Sequence, residues 1–248
     1  MIKEEFMRQQ LILGDCLEIM ASVPAGSVDC VIADLPYGIT NAKWDCEIPL
    51  PALWDQYMRL AKMDCPIILF GSQPFTSKLI SSNMEWFRYC WYWEKEKGTG
   101  FLNSKHQPLR CIEEICVFYK KRGKYNPQMV LLDKPYRRNL AHTPTEVTGK
   151  VGSFGAKITY KEYTHNYPKN ILRFGRDNSN RGAHSTQKPL LLMQYLVETY
   201  SNPGDTILDN TMGSGTTCLA ARDLGRGYIG IENDENIFSI AKNRLGTG

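Results

Sequence analysis

Between Thr206 and Arg244 the chain alternates short apolar runs with helical patterns. Thr206 to Leu208 reads as a strand, Ser214 to Leu224 as a helix ended by Gly225 to Gly227, Tyr228 to Ile231 as a second strand, and Asn233 to Arg244 as a last helix. A strand–helix–strand–helix unit lays parallel strands in a sheet with both faces covered. Two strands cannot make such a sheet alone, so the apolar runs near residues 11, 30 and 68 must complete it. The fold predicted is α/β, a Rossmann-like mixed sheet with helices on both faces. In such sheets ligands bind beyond the carboxyl ends of the strands. Asp34, after the run 28–33, and Gly213, after the strand at 206, are thus predicted to share one edge.

The first of the C-terminal loops reads Asp209-Asn210-Thr211-Met212-Gly213-Ser214-Gly215-Thr216-Thr217. Glycines between a strand and a helix let a ligand approach the backbone beside the helix N-terminus. Glu232 ends the next strand, where an acid can accept from both hydroxyls of a ribose. The third glycine of the dinucleotide fingerprint is absent, with Cys218 in its place, and so is the lysine of a phosphate-binding loop. A nucleoside ligand without a pyrophosphate fits this pattern, and S-adenosylmethionine is such a ligand.

The second loop is Asp34-Leu35-Pro36-Tyr37, closed by Gly38. Pro36 and Gly38 force a turn. It presents a carboxylate, the Leu35 carbonyl and an aromatic ring. The two acceptors can take both hydrogens of an amino group on an aromatic base, localising a lone pair otherwise spread into the ring. Tyr37 can stack on the base.

These four residues resemble the Asp-Pro-Pro-Tyr motif of the DNA amino-methyltransferases, with Leu at the second position. Asp209 to Thr217 is similar to that family's cofactor motif, with Thr211 where Phe is common. His184-Ser185-Thr186-Gln187-Lys188-Pro189 resembles its His-Pro-Thr-Gln-Lys-Pro segment. Trp93-Glu94-Lys95, Glu113-Glu114-Ile115 and Tyr125-Asn126-Pro127 look like further landmarks. The catalytic motif precedes the cofactor motif, which resembles the circularly permuted beta arrangement. The resemblance implies a catalytic Asp34, Leu35, Pro36 and Tyr37. It implies a cofactor site of Asp15, Lys188, Pro189, Asp209, Thr211, Met212, Gly213, Ser214, Gly215, Thr216, Thr217 and Glu232. S-adenosylmethionine is the cofactor implied, with Asp15 at its adenine and no metal. An Asp at position 34 is more like the adenine-N6 enzymes than the cytosine-N4 enzymes.

The net charge of +4 is unevenly spread: residues 101–182 hold 16 Lys/Arg against 6 Asp/Glu. Such a segment suits a polyanion. From Lys120 the periodicity fades into a stretch rich in Pro, Gly and Tyr. We expect residues 1–119 and 183–248 to form the methyltransferase domain. Residues 120–182 are expected to form an inserted target-recognition region of small strands and loops. Lys120, Lys121, Arg122, Lys124, Arg137, Arg138, Arg173, Arg176 and Arg181 are its candidate DNA contacts. The loop from Gly38 to Glu47, with Trp44, is a candidate lid.

Eight cysteines without a C-x-x-C pair read as free thiols of a reducing cytosol, not a zinc or disulfide framework. The acidic N-terminus is unlike a signal peptide, and no apolar run is long enough to span a membrane. A cytoplasmic enzyme acting on double-stranded DNA is expected. Relatives are often dimers and some pair with a restriction endonuclease, but no interface stripe is legible. Cytosine-N4 methylation, methylation of a protein glutamine or an RNA base, and a non-catalytic binding module are the alternatives. An Asn at the first motif position would favour the second of these, and loss of a motif residue the third.

Overall fold

The computed structural model describes residues 9–38, 45–139, 160–175 and 187–246. Trp44, Arg176, Arg181 and His184 to Thr186 lie outside the described residues, as do the first eight. The strands are β1 (Gln9–Leu13), β2 (Cys30–Ala33), β3 (Ile67–Gly71), β4 (Phe87–Thr99), β5 (Arg110–Phe118), β6 (Val130–Asn139), β7 (Tyr160–Asn166), β8 (Ile171–Arg173), β9 (Thr206–Asp209) and β10 (Gly227–Glu232). The helices are α1 (Cys16–Ser22), α2 (Leu50–Leu60), α3 (Phe75–Ser82), α4 (Leu190–Tyr200), α5 (Thr216–Asp223) and α6 (Glu235–Leu245).

One sheet has the order β1-β10-β9-β2-β3-β5-β4-β8. β1, β10, β9, β2 and β3 are parallel, β5 and β4 are antiparallel additions, and β8 lies parallel to β4. The C-terminal unit is completed by the strands around residues 11, 30 and 68, as its two uncovered faces require.

The period-2 alternation of the strands sorts residues into two cores. Val31, Ala33, Ile67, Leu69, Cys116 and Phe118 pack with α1, α2 and α3 on one face. Cys30, Ile32, Ile68, Phe70, Ile115 and Val117 pack with α4, α5 and α6 on the other. Helix α2 shows why: Leu50, Leu53, Trp54, Tyr57 and Leu60 recur at helical spacing and are all buried. Burial of each such side chain stabilises the fold by about 2 kcal/mol. No described helix is long and apolar enough to cross a membrane.

The described chain divides into two compact units, with Pro127 to Lys169 forming the second. There β6 and β7 make an antiparallel ribbon, with Tyr136 stacked on Tyr163 at 5.3 Å. β8, three residues long, belongs to the large sheet. Its sequence has no alternation to announce it, and only pairing with Tyr92 to Glu94 makes Ile171 to Arg173 a strand.

Candidate active site

The carboxyl ends of the parallel strands form one edge, and both predicted loops are there. β2 ends at Ala33, so Asp34 is the first residue past it. β9 ends at Asp209 and opens into the glycine loop. The Thr211 hydroxyl donates to the Asp34 carbonyl at 3.0 Å, joining the two loops directly. Leu35 is buried.

The Asp34 side chain is held from both sides. The Tyr37 hydroxyl donates to its Oδ1 at 2.8 Å, and Lys188 Nζ lies 2.6 Å from its Oδ2. Lys188 also reaches Glu113 Oε2 at 3.2 Å, and Lys95 Nζ reaches Glu113 Oε1 at 2.9 Å. Two ammonium groups thus alternate with two carboxylates, so a largely buried cluster is neutral overall. Burial would raise the Glu113 carboxyl, but Lys188 and Lys95 outweigh it and hold it below the ordinary value. The Tyr37 ring stacks on Phe75, with centroids 5.1 Å apart. Burial, then the nearby Asp34 and Glu113 charges, push its hydroxyl well up, so it stays a donor.

Lys188 stands just before α4, whose N-cap is Pro189. Its neighbour Gln187 accepts from Ser214 Oγ at 3.1 Å, so this segment touches both loops. In the glycine loop Gly213 and Gly215 have φ of 54° and 77°. A Cβ added at Gly213 would meet nothing within 4 Å, so its surface is open to a ligand. The Gly213 N–H donates to Glu232 Oε2 at 3.0 Å. The other oxygen of Glu232 accepts from the N–H groups of Asn233 and Asp234, each at 2.9 Å. Gly14 N–H donates to the Glu232 carbonyl, which brings Asp15 beside it. Asp15 caps α1 by accepting from Leu17 and Glu18.

Asp209 is buried and its pKa is raised to about 7. Burial is the main cause, opposed by the Thr217 hydroxyl and the Thr211 N–H, and reinforced by Asp34 and Glu232. Met212, Ser214, Thr216 and Thr217 are buried around it.

Several participants escape sequence reasoning. Phe75, Arg244 and Tyr57 come from helices whose patterns announce only packing. Arg244 Nη1 donates to the Ser214 carbonyl at 2.5 Å and to Ser214 Oγ at 2.8 Å. Tyr57 donates to Asn210 Oδ1 at 2.6 Å beneath the glycine loop. Glu113 was legible only as part of a landmark, with no role attached.

The basic candidates separate. Phe118, ending β5, pairs with Ile67 at the start of β3, so Lys120 to Lys124 follow at the opposite sheet edge from Asp34. Lys124, read from sequence as a phosphate contact, is instead a structural ion: its Nζ meets Asp29 at 3.1 Å and Asp205 at 2.9 Å. Both acids stand where strands begin; burial would lower the ammonium pKa, but the hydrogen bonds and charges of Asp205 and Asp29 outweigh it and leave it raised to about 12. Lys120 lies over the Trp86 ring at the same end, while Lys121 and Arg122 are exposed there. Arg173 is on the reactive side, paired with Glu94 at 2.7 Å. Arg137 and Arg138 are exposed on β6 of the small unit, Arg137 lying 3.7 Å from Glu162.

A family model for the N6/N4 methyltransferases, described as DNA methylase, matches residues 28–243. Type II methyltransferase M.HindIII of Haemophilus influenzae is 26% identical over 218 residues, 77% of this chain and 66% of that protein. The chain therefore spans just under two thirds of that relative. The DNA adenine methyltransferase YhdJ of Escherichia coli is 28% identical over 262 residues, covering 95% of this chain and 82% of the relative. Among solved structures, the cytosine-N4-specific PvuII DNA methyltransferase superposes with a TM-score of 0.69 at 14% identity, covering 96% of this chain and 86% of that one. The M1.HpyAVI–SAM complex gives 0.61 at 22% identity, covering 95% and 98%. At these identities the likeness speaks for the fold, which is that of the methyltransferases.

Proposed function

The chain belongs to the N6/N4 DNA methylase family, and from that premise we propose that it is a site-specific DNA methyltransferase acting on the N6 amino group of adenine. The observation that carries this is the Thr211–Asp34 bond, which puts an amino-group acceptor against a nucleoside-type loop. The methyl donor is S-adenosylmethionine, which supplies an electrophilic methyl on a sulfonium. Asp15, Glu232 and the open face of Gly213 suit its adenosine, and Gln187 to Pro189 flank the loop.

A target base within a duplex is out of reach, so it is flipped out of the stack. Asp34 and the Leu35 carbonyl accept from its amino group and hold the nitrogen lone pair outward. The amino group displaces the Tyr37 hydroxyl or Lys188 from Asp34, and Lys188 keeps Glu113 as its partner. Tyr37 and Phe75 offer the aromatic wall for the base. After transfer, Asp34 takes the proton the nitrogen sheds. Placement in a water-poor pocket supplies most of the rate.

The small unit from Pro127 to Lys169 has seven Lys/Arg against three Asp/Glu, and we assign it target recognition, with Arg137 and Arg138 on phosphates. We further propose a homodimer and, as the Type II names of the relatives suggest, a cognate endonuclease. The likeness to the PvuII enzyme keeps cytosine-N4 methylation as the second reading. Labelled methyl transfer to mixed-sequence duplex DNA, with digestion to nucleosides, decides between them. N6-methyladenine supports the proposal, N4-methylcytosine moves it to the other base, and unlabelled DNA refutes both.

A further inference from the structure

β4 and β5 form a hairpin that outruns the rest of the reactive edge. Glu113 on β5 touches Lys188, and Lys188 touches Asp34. Arg110 is three residues further toward the tip and pairs with Thr99. At about 3.3 Å per residue the paired strands rise roughly 10 Å beyond Glu113 before the tip begins. The tip is built: Gly100 at φ 90° opens a short 3-10 turn, Phe101–Asn103. The N–H groups of His106 and Gln107 close on the Asn103 carbonyl at 2.9 and 3.0 Å. On this turn Phe101 is 78% exposed and Leu102 97% exposed.

Such a pair is costly to leave in water. From Lys97 to Arg110 the hairpin carries Lys97, Lys105 and Arg110 and no Asp or Glu. A cationic collar around a projecting apolar pair suits an anionic partner with an apolar interior, which describes a stacked duplex. A second protein surface offers no such reason for an acid-free collar.

We propose that Phe101 and Leu102 form a wedge that enters duplex DNA beside the target base, propping open the stack while the base occupies the Asp34 pocket. The collar of Lys97, Lys105 and Arg110 meets the flanking phosphates. This rests on the methyltransferase function proposed above.

The test uses the full chain, with its target site first read by sequencing modified genomic DNA. Turnover is compared on a matched duplex and on one with the target base opposite an abasic site, where little unpairing is needed. Phe101→Ala/Leu102→Ala is expected to lose about tenfold or more on the matched duplex and to recover to within about threefold on the abasic one. S-adenosylmethionine binding stays unchanged. Leu102→Met, still apolar, keeps full activity, while Leu102→Glu behaves like the double variant. Because Leu102 is almost wholly exposed, these single changes leave folding intact. Equal activity of parent and double variant overturns the wedge, and so does an equal deficit on both duplexes. A change of sedimentation mass with matched-duplex activity retained also overturns it, in favour of self-association. A parent that methylates neither duplex refutes the methyltransferase function itself, and the wedge with it.

Discussion

Lys188 Nζ lies 2.6 Å from Asp34 Oδ2 and 3.2 Å from Glu113 Oε2, so one ammonium is shared between the proposed reactive carboxylate and a second, buried one. The Lys188 side chain is 12% exposed and that of Glu113 15%. Removing the cation leaves two carboxylates facing each other with little water. Lys188→Met is expected to cost about 3 kcal/mol in urea unfolding. Methyl transfer should fall by at least about a hundredfold, as Asp34 loses the partner that orients it. Adding Glu113→Gln should restore part of the stability, since the repulsion between the two carboxylates is then gone, without restoring activity. A Lys188→Met protein as stable as the parent would show the cluster to be loosely coupled.

Asp209 predicts a pH dependence of defined sign. Its pKa is raised from 3.8 to about 7 in the folded protein. The folded state therefore binds more protons than the unfolded chain between those values. Its contribution to stability is greatest below about pH 3.8 and is lost as pH rises to about 7. The loss is of order 4 kcal/mol. Asp209→Asn, close in shape to the protonated acid, should gain stability relative to the parent as pH goes from about 4 to 7. The comparison must be a difference between the two proteins, because Glu113 and Asp29 have lowered values and act in the opposite sense. A parallel pair of stability curves would refute a protonated Asp209.

Lys124 and the Arg137–Arg138 pair should separate two roles that look alike in sequence. Lys124→Ala leaves Asp29 and Asp205 without their shared cation. We expect a stability loss of about 2 kcal/mol and little change in duplex affinity. Arg137→Ala/Arg138→Ala should leave stability within about 0.5 kcal/mol. It should weaken DNA binding and flatten its salt dependence by about one to two phosphate contacts. Binding titrations at several salt concentrations, with unfolding curves, check both.

Gly230 lies in β10 beneath the glycine loop, the proposed cofactor site. A Cβ there would come within 2.5 Å of Met212 Sδ and 2.6 Å of Cys218 Sγ. Gly230→Ala should destabilise the fold by about 2 kcal/mol and weaken S-adenosylmethionine binding, because Met212 belongs to the loop itself. Calorimetric titration of the cofactor measures this. Unchanged affinity would mean that the loop moves independently of the strand below it.

The fold was legible where one residue pattern had one outcome. The apolar runs at 30–33 and 66–70, each bounded by turn residues, read as buried strands. The C-terminal unit needed such strands to complete its sheet, so the meeting of Asp34 and Gly213 followed from topology. Side-chain partners were another matter. Lys188 carried a motif but not its neighbours, since Asp34 and Glu113 arrive from distant strands. Lys124 reads like its basic neighbours, and only the antiparallel course of β5 places it at the far edge beside Asp29. The edge strand β8 and the Arg244–Ser214 contact rest on tertiary pairing that no local pattern encodes. Phe101 and Leu102 look like ordinary core residues until the hairpin places them in solvent.

The most direct test of the account is Asp34→Ala, assayed for cofactor binding and methyl transfer side by side. Asp34 accepts from Tyr37 and pairs with Lys188 through its side chain, while Thr211 of the glycine loop donates to its backbone carbonyl. A catalytic Asp34 implies S-adenosylmethionine affinity within about threefold of the parent and methyl transfer to DNA reduced by at least about a thousandfold. Transfer at the parent's rate, with the cofactor still bound, would contradict it and place the chemistry elsewhere on the sheet edge.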